Sequence, residues 1–318
     1  MGSESDKMDK IKKITVVFPG QASQYVEMGK EFIESVPECA DIIREGERIT
    51  ALPLMEKILK GPMEELTRTL ICQPAVFAVS MVCWHMLKKT GVAPFAFAGH
   101  SLGEYSALVA SGTITLDEGF FIVKKRALIM DEISAKADGT MLAVLGMKLT
   151  DLEHVLKDFP DVEIANINSD AQVVVGGKRK ELEKFNLYLR QKKVKGILLN
   201  VSGPFHTSLM GKAGELLSTE LDKLDFKDPE TPLYLNYSGQ KAIDGRDVKE
   251  GLVKQMSSPV KWLDIIKSIA AEENNVFVEV GPKKVLKKII EGIVPGAVDF
   301  NVEDNGSLNT LIEYLKQG

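Results

Sequence analysis

An α/β fold with a smaller unit inserted into it is what this sequence predicts, and three observations carry the expectation. Short apolar, β-branched runs alternate with helical stretches through the first 137 residues, the order of a parallel sheet flanked by helices. A serine, Ser101, stands between Gly99 and Gly103 where one such run gives way to a helix, the mark of a hydrolase-like nucleophile elbow. From 139 to 202 the order changes to β-α-β-β-α-β, the split unit of a ferredoxin-like domain. The expected division is a large subdomain formed by 8–137 and 203–318, with 138–202 as the small one.

Taken in order, KITVVFP at 13–19 reads as a buried strand closed by Pro-Gly, with 21–24 as its loop and a helix from about residue 28. Residues 73–89, with Pro74 near a first helical position, form a long apolar helix that packs against the serine-bearing strand. That strand is the apolar run before Gly99, and its helix follows over 102–110. Small residues flank Ser101 because the turn presses backbone against backbone and glycine has no Cβ to clash. Thr115 and Glu118 have capping-box spacing and open a helix to about 134. In the insert, strands are expected at 141–146, 162–167, 172–176 and 196–201, with helices at 150–159 and 180–192. Strand candidates at 233–236 and 276–280 follow the return through Gly203-Pro204.

Composition bounds the function. The chain has 318 residues, 44% hydrophobic and 27% charged, enough to bury a large core, and a net charge of −5 gives no reason to expect nucleic acid. No apolar run of membrane-span length is read, so no membrane partner is expected. Residues 1–7 are polar and lack the apolar core of a signal peptide, so they read as an appended leader before Met8, and a cytoplasmic location is expected. Cys39, Cys72 and Cys83 have neither metal-ligand spacing nor an even count and read as reduced core thiols. No metal or redox cofactor is implied.

A serine hydroxyl needs a base, and four histidines compete for the role. His85 sits beside Trp84 in a packed helix, His154 lies on a short amphipathic helix, and alternation points His100 away from its neighbour Ser101. Elimination leaves His206, in a Gly-Pro-rich return segment of the kind that presents functional side chains.

FPGQASQ at 18–24, GHSLGEY at 99–105 and GPFH at 203–206 together resemble the malonyl-CoA:acyl carrier protein transacylases of fatty acid synthesis. KQMSSPVKW at 254–262 and FVEVGP at 277–282 extend the resemblance over nearly the whole chain. The resemblance implies a ping-pong malonyltransferase. Ser101 takes the malonyl group as an ester, His206 serves as base and then acid, and the backbone carbonyl of Gln255 orients the histidine. The backbone N–H groups of Gln21 and Leu102 form the oxyanion hole. Arg126 binds the malonyl carboxylate, a role that pattern alone cannot assign, because Lys124, Lys125 and Arg126 are adjacent on one helix. Phe205 narrows the acyl pocket or is ordinary core, and Asn168 lines the cleft. Two departures stand out: Thr207 where the bacterial family commonly has Ser, and Gly176-Gly177 where Ser-Gly or Ala-Gly is frequent.

The implied partners are malonyl-CoA, as substrate and not cofactor, and an acyl carrier protein, met by a monomer. Basic clusters at Lys178-Arg179-Lys180, at Lys192, Lys193 and Lys195, at Lys283-Lys284 and at Lys287-Lys288 could receive phosphates and an acidic carrier helix, or simply aid solubility. A hydrolase or thioesterase using water as acceptor is the alternative, and its carboxylate between serine and histidine is not evident as a motif. A carrier-binding scaffold without chemistry is a third reading, which an intact Ser101 and His206 argue against.

Overall fold

A computed structural model describes residues 12–272 and 275–317, so the polar stretch 1–7 lies outside the described residues. Among these the strands, in chain order, are β1 (Lys13–Phe18), β2 (Ala96–Gly99), β3 (Gly139–Leu145), β4 (Val162–Ser169), β5 (Gln172–Lys178), β6 (Lys195–Leu198), β7 (Asn275–Val280) and β8 (Val298–Val302). They form two sheets. The first runs β2-β1-β7-β8 with every pair parallel. Its inner strand β1 is buried on both faces at Val16, Val17 and Phe18, which is why it reads as an unbroken apolar run and not as an alternation.

The second sheet runs β4-β5-β3-β6, antiparallel throughout, the strand order of the split unit. Side-chain alternation gives it two different faces. Leu142, Val144, Val173 and Val175 meet Leu182 and Phe185 of helix Arg179–Gln191, forming a small core of their own. Met141, Ala143 and Val174, one residue out of step, join the main core instead. The insert is thereby fastened to the larger sheet's helices by its own backbone period. Two further bonds pin it: Ile167 N–H donates to the Val260 carbonyl and Val260 N–H to that of Ala165, both at 2.9 Å.

Several expectations are corrected. The long apolar helix runs Thr69–Lys88, so Pro74 sits in its interior and not at its start. Burial of 14 side chains along this helix outweighs the missing Pro74 N–H, since the proline removes only one backbone bond. The same helix is long and apolar enough to cross a membrane by composition, contrary to the sequence reading. It is apolar on all sides because the protein surrounds it. Segment 233–236 is not a strand: Leu233 bridges only Phe97, and Tyr234 bridges Lys241. β6 ends at Leu198, because 199–201 leave the sheet to line a cavity. Strand β8, with its half-exposed VDFNV pattern, was missed. The capping box of helix Leu116–Ala137 is present, with Thr115 and Glu118 bonded reciprocally. All three cysteines are buried and unpaired, and burial pushes the Cys72 thiol up to about 12.

Candidate active site

β2 stops at Gly99 and the helix Gly103–Ala110 begins four residues later, with Ser101 between them at φ 52. That is left-handed backbone, which a non-glycine residue adopts only when its surroundings impose it. They do so by contact. A Cβ on Gly99 would lie 2.0 Å from the Gly103 carbonyl, and one on Gly103 would lie 2.0 Å from the Phe18 carbonyl oxygen. The turn takes two backbone groups out of regular pairing, and Asn236 satisfies both. Ser101 N–H donates to its Oδ1 and its Nδ2 donates to the Gly99 carbonyl, each at 2.6 Å.

His206 is likewise left-handed, at φ 61, and 4% exposed. Its Nδ1 lies 2.8 Å from the main-chain carbonyl of Gln255. A carbonyl can only accept, so the proton is on Nδ1 and Nε2 is left as the acceptor. Ser101 Oγ donates to that Nε2 over 2.7 Å. Burial, and then the nearby Arg126 charge, pull the His206 pKa down to about 3, which keeps the ring neutral and the Nε2 lone pair free to accept a proton.

Arg126 comes from the interior side of helix Leu116–Ala137 and is 1% exposed, whereas Lys124 and Lys125 beside it are half-buried. Its Nη1 donates to Gln73 Oε1 at 2.7 Å, and its Nη2 to Ser101 Oγ at 3.0 Å and Gln255 Oε1 at 3.2 Å. Its Nε is buried without a hydrogen-bond partner, and among the described residues no carboxylate oxygen comes within 4 Å of the guanidinium. A buried cation that lacks an anion is held at a cost unless an anionic ligand completes it.

These groups face a cavity of about 130 Å³ lined by Gln21, His100, Ser101, Arg126, Phe205 and His206 among others. Gln21 follows β1 in a loop whose next residue, Ala22, is also left-handed, with its N–H capped by Gln24. Among the described residues neither the Gln21 nor the Leu102 N–H has a hydrogen-bond acceptor. Leu102 is 1% exposed at the start of its helix and is not itself among the lining residues.

Two expectations change. His100 lines the cavity, with Nε2 2.8 Å from Asn168 Oδ1, so it was wrong to place it away from the site, although it is not the base. Asn168 is thereby one step behind the wall. The lining asparagine is Asn166, two residues earlier on the same face of β4, and its Oδ1 is buried and unpartnered. Sequence reasoning also missed Gln73, Glu104 and Asn236. Gln73 and Glu104 had a signal, each being a polar side chain inside an otherwise apolar helix, whereas Asn236 had none.

With the geometry in place, comparison with known proteins is specific. Residues 15–311 match the acyl transferase domain family. The chain is 36% identical over 310 residues to the malonyl CoA-acyl carrier protein transacylase of Bacillus subtilis strain 168, covering 96% of this chain and 98% of that one. Against the Escherichia coli K12 transacylase of the same name identity is 32% over 292 residues, covering 89% and 94%. Among solved structures, the Clostridium perfringens transacylase superposes with a TM-score of 0.90 at 33% identity, covering 96% and 98%. A malonyl-transacylase in complex with a type II PKS acyl-carrier protein superposes with a TM-score of 0.91 at 30% identity, covering 95% and 99%.

Proposed function

The chain belongs to the acyl transferase domain family, and from that premise we propose that it moves a malonyl group from malonyl-CoA to the phosphopantetheine thiol of an acyl carrier protein through an ester on Ser101. The observation that carries this reading is one oxygen with two partners: Ser101 Oγ donates to His206 and accepts from Arg126. The first bond readies the hydroxyl for proton loss, and the second marks where a buried cation lies relative to the bond being made.

Ser101 Oγ attacks the malonyl thioester carbonyl as His206 Nε2 takes its proton, and the carbonyl oxygen becomes an oxyanion. The unpartnered N–H groups of Gln21 and Leu102 are its assigned donors. Collapse breaks the C–S bond, and the coenzyme A sulfur leaves with the proton from His206. The carrier thiol then enters, gives its proton to His206 and attacks the ester, and Ser101 Oγ recovers that proton. Gln255 holds the imidazole through a neutral carbonyl, fixing the tautomer without the charge of a triad carboxylate. Arg126 takes the malonyl carboxylate. Phe205, 6% exposed on the cavity wall, limits the substituent the acyl group can carry.

Donor and acceptor reach this cleft between 138–202 and the rest of the chain. Lys192, Lys193 and Lys195 are exposed, and β6 runs from them directly to Leu199, Asn200 and Val201 on the cavity wall. That continuity favours this cluster for carrier docking; the second favoured cluster, Lys178, Arg179 and Lys180, stands at the opposite end of the sheet, where Lys178 pairs with Gly139 while Lys195 pairs with Leu145. In the Lys287-Lys288 cluster, Lys287 is engaged by Asp299 at 2.7 Å. Charge reversal in either favoured cluster should slow transfer to carrier more than exchange with coenzyme A. A soluble, cytoplasmic role in fatty acid synthesis completes the reading.

Intact-mass measurement tests it. Malonyl-CoA should produce an adduct that disappears onto added carrier, and Ser101→Ala should show none. Arg126→Ala should lose about 2 to 5 kcal/mol of malonyl transition-state binding while acetyl loading falls less. Free malonate without transfer would instead identify a hydrolase, and an unchanged malonyl-to-acetyl ratio would remove Arg126 from its role.

A further inference from the structure

Glu104, three residues after the nucleophile, is a fully buried carboxyl that the chemistry above does not use. Its Oε1 accepts from Asn236 N–H at 3.2 Å and its Oε2 from Gln255 Nε2. The same Gln255 Nε2 donates to the Ser101 carbonyl at 3.0 Å, and Gln255 Oε1 faces outward to accept from Arg126. Gln255 therefore meets both halves of the site, with its main-chain carbonyl on His206 and its side chain on the guanidinium.

A primary amide has nearly the same shape either way round, so something must decide which end faces Arg126. Turned over, its NH2 would point at a guanidinium that has only donors. Glu104 and the Ser101 carbonyl form an all-acceptor surface on the far side and hold the NH2 there. We propose that Glu104 is a positioning residue for malonyl loading: its carboxyl orients the Gln255 side-chain amide, and the amide orients the Arg126 guanidinium. The inference rests on the reading that Arg126 receives the malonyl carboxylate.

The interposed amide also explains why the negative charge is not placed directly against Arg126. A carboxylate in bidentate contact would occupy the donors the substrate needs. Set back by one glutamine, Glu104 supplies partial charge compensation while no carboxylate oxygen lies within 4 Å of the arginine among the described residues. Burial raises the Glu104 pKa to about 7, whereas both its oxygens face N–H donors, which favours the ionised form.

The test is a double-mutant cycle on loading rates, followed by intact mass with malonyl-CoA and, separately, acetyl-CoA. Glu104→Gln preserves shape but replaces one acceptor by a donor. Gln255→Met removes the amide and leaves the main-chain carbonyl on His206. Each single change should slow malonyl loading about tenfold, the worth of one buried hydrogen bond, and acetyl loading less than about threefold. Added to Gln255→Met, Glu104→Gln should change the malonyl-to-acetyl ratio less than about twofold, because its route to Arg126 has already been removed. Independent, multiplying effects of the two changes would overturn the proposal. So would equal slowing with both donors in step with a fall in melting temperature, which is what a purely structural carboxyl would give. Absence of malonyl loading in the unaltered protein is a distinct failure, which removes the premise and the proposal with it.

Discussion

The stretches that hold Ser101 and His206 arrive at the same unusual backbone by different means. Around Ser101 the constraint is steric: β2, β1 and the helix Gly103–Ala110 are packed so closely that only glycine fits at 99 and 103. Around His206 it is polar. The turn is held by Thr207 Oγ1 donating to the Pro204 carbonyl at 2.7 Å, by Ser208 N–H donating to Glu163 at 2.8 Å, and by the ring's own bond to Gln255. The nucleophile is fixed by what cannot fit and the base by what must be paired. The glycines that mark the steric site lie close together in the chain, although it is Phe18 of β1 that excludes a side chain at 103, whereas Glu163 and Gln255, which hold the base, leave no such local mark.

Breaking the steric side should have the largest effect. Gly103→Ala places a Cβ 2.0 Å from the Phe18 carbonyl oxygen at the carboxyl end of β1, with no flexible side chain to yield. The expected loss exceeds about 4 kcal/mol, visible as insoluble or unfolded protein in thermal melts. A folded, active Gly103→Ala variant would show the elbow to be looser than described.

Asn236 is where the polar principle reaches the nucleophile. Asn236→Ala leaves Ser101 N–H and the Gly99 carbonyl buried without partners, each costing about 1 to 3 kcal/mol. Urea denaturation should record the sum, and Ser101 loading should fall beyond what stability alone explains, since φ 52 is then unsupported. Loading unchanged in the folded fraction would mean that packing alone holds the turn.

The two departures from the family pattern meet in space, and they sharpen the comparison. A Cβ on Gly176 would lie 2.7 Å from the Thr207 methyl, so the extra methyl beside the base occupies room left by the missing side chain in the insert. Gly176→Ala alone should destabilise by about 1 to 3 kcal/mol through overpacking, and Gly176→Ala with Thr207→Ser should recover most of it. Equal melting temperatures for the single and double variants would show the two positions to be independent.

The smallest expected effect is the absence of one. Burial and Arg126 hold the folded His206 pKa at about 3, below the ordinary 6.5, so the neutral base persists as pH falls through 6.5. The unfolded chain does bind that proton, so acidification below 6.5 costs folding stability without protonating the base. The His206 ring signal in NMR should show no inflection between pH 8 and 5. A midpoint near 6.5 would mean that the ring is solvated and that its bonds to Ser101 and Gln255 are weaker than drawn.

What the sequence determined by itself follows from the steric half of this comparison. The elbow at 99–103, the buried β1, the capping box at Thr115 and the split order of the insert all rest on neighbouring residues and on periods of two or 3.6, so they could be read in one dimension. Segment 233–236 shows the limit. It is apolar enough to suggest a strand, yet its role is to bring Asn236 to a turn 135 residues earlier. Only the tertiary structure decided that Arg126, and not Lys124 or Lys125, is buried, that Asn166 and not Asn168 reaches the cavity, and that Glu104 and Gln255 meet across 151 residues. A side chain's environment inside a core is set by which distant segment packs against it, and hydrogen bonds of that reach leave no period in the chain.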